Sequence, residues 1–152
     1  MRNPNAISYQ LISTKRDTDW VIEIRNHLGK RWHFATDIKS HLYAGGELMA
    51  FALAMKTVPY QKRNFFAFYT VNPETAEAIN SLFKQWFFRG QIHCPEGMSD
   101  AECELYRSFY VSLRGSRRDA YCQADTPVPA TVDRPYEKQS RAYAEFLRNH
   151  NS

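Results

Sequence analysis

Residues 64–90, "NFFAFYTVNPETAEAINSLFKQWFFRG", change period in mid-stretch, and the reading of that change decides the fold. In an extended chain, Phe65, Ala67, Tyr69 and Val71 fall on one side, and Phe66, Phe68 and Thr70 on the other. Both sides are apolar or aromatic, which predicts an interior strand covered on both faces. From Asn72 the pattern turns helical. Asn72 stands at the N-cap, Pro73 at the first helical position and Glu74 in the first turn. Ile79, Leu82, Phe83 and Trp86 keep the spacing of a buried helical stripe, and Gly90 supplies the C-cap.

The same aromatics invite comparison with the strand of RNA-recognition modules in which a basic residue and a glycine precede alternating rings. Only Phe66-Ala67-Phe68 fits. The glycine is missing, and the β-α-β-β-α-β order is absent around it, so the run is read as core.

Working outward toward the N-terminus, "WVIEIR" (20–25) alternates Trp20, Ile22 and Ile24 with Val21, Glu23 and Arg25, the signature of a half-buried strand. With "ISYQLIS" (7–13), the glycine-containing turn "NHLGK" (26–30) and "RWHFAT" (31–36), it predicts a three-stranded antiparallel meander. A helix over 18–28 capped by Gly29 is the competing pattern. "LMAFALAM" (48–55) has no polar residue and predicts a helix central in the core, preceded by Gly45 and Gly46 and ended by Pro59.

Toward the C-terminus, "GMSDAECELYRSFYVSLRG" (97–115) opens on a Ser99/Glu102 capping box and carries the stripe Leu105, Phe109, Leu113. "ADTPVPATVDRP" (124–135) reads as an extended Pro-rich connector. A last helix carries Tyr136, Tyr143, Phe146 and Leu147. The whole is α+β: an N-terminal antiparallel β-meander plus one further strand, packed against a largely helical C-terminal half. The expected division is one domain over 1–123, the connector over 124–135, and a helix over 136–150 packed on the same domain.

The 152 residues are 43% hydrophobic and 14% aromatic, ample for one core. The start, "MRNPNAISYQ", lacks the apolar stretch of a secretory signal. The run 48–55 falls far short of the ~20 residues that cross a bilayer, so no membrane is expected. Cys94, Cys103 and Cys122 are odd in number and show no CxxC spacing, which predicts free thiols in a reducing cytoplasm. The net charge of +4 is uneven: residues 1–95 carry 12 Lys/Arg against 7 Asp/Glu, whereas 96–106 carry four acids and no base. A positive field favours anionic partners.

Function points first to nucleic acid, or to a protein that handles it. If the helix over 97–115 continues past Gly115, Arg107, Arg114 and Arg118 recur at i, i+7 and i+11, with Arg117 beside them and Tyr110 and Tyr121 interleaved. Such a face offers guanidinium forks to phosphates and rings to bases. Lys138, Arg141 and Arg148 extend it. The alternative is a protein-binding adaptor or inhibitor. Trp86, Phe87 and Phe88 are consecutive on a helix, and aromatic and Arg residues commonly anchor protein interfaces.

A small hydrolase using His33, Asp37 and His41, with Glu47 beyond, ranks third, since no nucleophile elbow, phosphate loop, HExxH or CxxC accompanies them. His93, Cys94 and Cys103, with Asp100 or Glu104, lack the paired spacing of structural zinc. No catalytic residue, metal or cofactor is therefore assigned.

Overall fold

The computed structural model describes residues 6–17, 19–36, 46–59, 64–94, 96–113 and 116–135. Five strands, β1 (Ser8–Arg16), β2 (Asp19–Asn26), β3 (Arg31–Thr36), β4 (Phe65–Thr70) and β5 (Arg117–Cys122), form one sheet in the order β3-β2-β1-β4-β5. The meander pairs antiparallel, β1 with β2 and β2 with β3. β4 and β5 then add in parallel on the other side of β1. The predicted α+β fold is present.

One face of this mixed sheet is the core. Tyr9, Leu11, Trp20, Ile22, Ile24, Phe66, Phe68 and Ala120 point into it and are buried. The helix over them, α1 (Glu47–Met55), is apolar nearly all round, with Leu48, Phe51 and Ala54 fully buried. Gly46 precedes it at φ 85°, a left-handed turn that favours glycine. Phe68 meets Phe51 and Phe109 edge-on at 5.3 and 5.6 Å, tying β4 to both α1 and α4 (Asp100–Ser112). Burying one such ring contributes about 1.5–3 kcal/mol.

After β4 the helix forms where the sequence places it, in three joined segments: α2 (Pro73–Glu77), a π-helical turn (Ala78–Leu82) and α3 (Phe83–Arg89). Gly90 closes α3 at φ 64°. Asn72 occupies the N-cap, but its side chain makes no capping bond and reaches Glu47 instead. On the π turn, Asn80 donates to Ala120 O and accepts from Ala120 N, each at 3.0 Å. It thereby occupies the backbone of β5, a strand at the edge of the sheet.

Three expectations change. Residues 117–122 are a strand, not the continuation of the preceding helix. Cys94 and Cys103 are not free thiols but a disulfide, with Cα atoms 6.0 Å apart; Cys122 alone is free. The connector is not merely a spacer, because it packs back on the sheet, where Gln10 Nε2 donates to Thr131 O. The expected helix over 136–150, with Lys138, Arg141 and Arg148, lies outside the described residues. No helix among the described residues is long and apolar enough to cross a membrane.

Candidate functional site

The Arg/Tyr face drawn from the sequence is not assembled as one helical surface. Arg107 is exposed on α4, and Tyr110 packs half-buried against Phe83 and Trp86 at 5.7 and 5.5 Å. Arg118 lies on the core-side face of β5. Burial pulls its guanidinium below the usual arginine range, and Tyr110 opposes that shift. Arg117 and Tyr121 belong to the opposite face, where Tyr121 stacks on Tyr69 at 5.3 Å. A strand alternates its side chains, so 117–122 divides what one helix face would have kept together. Arg114 lies outside the described residues.

The aromatic helix also divides. Trp86 is 2% exposed, and its indole N–H donates to His93 O at 2.8 Å, so it serves the core rather than a surface. Phe87 and Phe88 are 61% and 72% exposed and touch each other at 5.7 Å. Lys84 and Arg89 are exposed on the same helix.

His33 pairs with Glu23, its direct cross-strand neighbour, at 3.3 Å; Asp37 and His41 lie outside the described residues. Glu47 is a fully buried carboxylate. It accepts hydrogen bonds from the Ser13 hydroxyl, from Val71 N at 2.9 Å and, more distantly, from Asn72 Nδ2 at 3.5 Å. These partners close the crevice at the carboxyl ends of β1 and β4. That is the place where strand order reverses and where open α/β sheets commonly bind ligands. No group of three His, Cys, Asp or Glu suited to a metal occurs among the described residues.

A concave site among the described residues lies elsewhere, at the end of the β2–β3 hairpin. A cleft of about 230 Å³ is lined on the hairpin side by Arg25, His27, Lys30 and Arg31, and on the connector side by Ala130, Thr131 and Val132. Among the described residues no carboxylate lines it. Arg25 and Arg31 are direct cross-strand partners on the sheet face away from the helices, an arrangement that like charges make unfavourable. Glu23, one pair further along β2, engages the Arg25 Nε with one oxygen and His33 with the other. The Lys30 ammonium sits 5.3 Å from the centre of the Trp32 ring.

Hydrogen bonds close the hairpin turn. Asn26 Oδ1 accepts from Leu28 N at 3.0 Å and Lys30 N at 2.9 Å, and Asn26 O accepts from Gly29 N at 3.2 Å. Gly29 makes the turn at φ 88°. His27 Nδ1 accepts from Ser8 N at 3.1 Å, which places the ring proton on Nε2. The opposite wall is fixed by Gln10. Gln10 is 3% exposed, pairs directly with Arg25 in the sheet, and holds Thr131 O at 3.2 Å.

Sequence reading missed this cleft, since its walls lie about a hundred residues apart along the chain. The available signal was "RNHLGKR" (25–31), with Arg25, His27, Lys30 and Arg31 and no acid. Fold and site together define an α+β domain with a basic cleft on the sheet face away from its helices. No protein-family model matches the chain, and no curated protein matches it.

Proposed function

We propose that this chain is a non-catalytic binding protein that associates with nucleic acid through the cleft at the β2–β3 hairpin. One observation carries the proposal: Arg25 and Arg31 face each other across the hairpin, and among the described residues no carboxylate lines the cleft, Glu23 engaging only the Arg25 Nε from outside it. Glu23 already offsets part of the Arg25 charge, so a phosphate here adds a charge-assisted contact chiefly at Arg31 and at the Arg25 nitrogens beyond Nε. Lys30 and His27 add a further cation and a donor.

The test is fluorescence anisotropy with a labelled oligonucleotide over a salt series, on wild type and on Lys30→Ala/Arg31→Ala. Each phosphate contact on a single strand contributes about 0.7 to the slope of log K against log salt, so the double variant should lose roughly 1.4. Arg107→Ala should leave the slope unchanged. Salt-independent binding, or an unaltered slope in the double variant, would remove the support for this site.

A second reading, a protein-binding adaptor or inhibitor, is favoured by the exposure of Phe87 and Phe88. It predicts partner binding that is weakly salt-dependent and is lost in Phe87→Ala/Phe88→Ala, with the cleft variants unaffected.

A further inference from the structure

Resting on the nucleic-acid reading above, we infer that the cleft takes a single strand, in preference to a duplex or a lone phosphate. A site built for one phosphate commonly presents a nest of free backbone N–H groups. In the β2–β3 turn those amides are consumed: Asn26 takes Leu28 N, Gly29 N and Lys30 N. What remains for an anion is side-chain charge at several points around the cleft, which suits a chain of phosphates more than one.

Depth separates a single strand from a duplex. Lys30 and Arg31 are exposed at the rim, whereas the Arg25 side chain is recessed, 23% exposed. A cleft of about 230 Å³ has the volume of roughly seven or eight waters. An unpaired base or sugar is small enough to enter such a cleft, whereas a duplex is a wide rod that rests on its rim. A duplex therefore reaches the rim cations, and a threaded strand reaches Arg25 as well.

The apolar surface agrees. Leu28 is 69% exposed at the hairpin tip, beside the cations, and Ala130 and Val132 form the far wall. Unpaired bases present apolar faces to such surfaces; paired bases hide them in the stack.

The experiment is a binding measurement at one salt concentration with three probes: a short single-stranded oligonucleotide, the same sequence as a blunt duplex, and inorganic phosphate as competitor. Wild type, Arg25→Gln and Leu28→Ser are compared, with thermal melts to confirm folding. Leu28 is exposed, so its variant tests the idea even if Arg25→Gln unfolds. The single strand should bind measurably tighter than the duplex, and the difference should shrink in Leu28→Ser. Each variant should lower single-strand affinity, Leu28→Ser should leave duplex affinity in place, and phosphate should not compete at millimolar levels.

Equal or tighter duplex binding, or efficient competition by phosphate, overturns the inference. If the duplex binds and depends on Lys30 and Arg31, the nucleic-acid reading survives without it. If no nucleic acid binds, both fall.

Discussion

Replacing Glu47 separates two explanations of why α1 starts where it does. The carboxylate is fully buried, and one of its oxygens accepts both the Ser13 hydroxyl and Val71 N. These bonds fasten the first turn of α1 to β1 and to the residue after β4. Hydrogen bonds to a charged acceptor contribute about 1.5–3 kcal/mol each, and a negative charge in the first helical turn adds roughly 0.3–1 kcal/mol. Glu47→Leu removes all of this and leaves the Ser13 hydroxyl, 1% exposed, without that acceptor. Leucine burial returns about 1.5–3 kcal/mol.

The net expectation for Glu47→Leu is a loss of about 2–4 kcal/mol. Glu47→Gln keeps a carbonyl oxygen for both donors, gives up the charge, and should lose only about 1 kcal/mol. At roughly 2–4 °C per kcal/mol for a chain of this size, Leu should lower Tm by about 4–16 °C and Gln by about 2–4 °C. Urea denaturation followed by circular dichroism measures both. Equal losses in the two variants would assign the effect to charge rather than to acceptor geometry. A Leu variant as stable as wild type would refute the reasoning, since buried charges are sometimes replaced by apolar groups at no cost.

Two further outcomes follow from the packing. The Cys94–Cys103 disulfide spans a sequence separation of 9, for which loop-closure entropy gives roughly 2.5–3 kcal/mol. Cys94→Ser/Cys103→Ser should therefore lose about that much against oxidised wild type, and should match wild type when both are held in reductant. Burial raises the Tyr9 hydroxyl above its ordinary value of 10.0. Above that pH the unfolded chain releases the proton while the folded chain keeps it, so stability should fall as pH rises past 10.0, and more steeply in wild type than in Tyr9→Phe.

Most of the architecture is legible in the sequence, because those elements declare themselves through burial. Trp20, Ile22 and Ile24 alternate, Phe66 and Phe68 sit in a strand apolar on both sides, and Leu48 to Met55 contain no polar residue. What stays hidden depends on backbone pairing or on distant contact. The strand at 117–122, "RRDAYC", has no clean alternation; parallel pairing with β4 and the Asn80 amide hold it. For that reason a helix through Gly115 looked equally good, and the arginine face drawn on it does not form. The cleft needed Thr131 placed beside Gln10, 121 residues away in sequence, a contact no local pattern encodes. Likewise, the three cysteines carry no spacing that reveals which two meet.

The most direct test of the account is a backbone amide NMR titration of the intact chain with a short single-stranded oligonucleotide. The account predicts shift changes concentrated at Arg25–Arg31 and Ala130–Val132, with little change at Arg107, Tyr110, Phe87 or Phe88. Shifts centred on α4 or α3, with the hairpin silent, would contradict it.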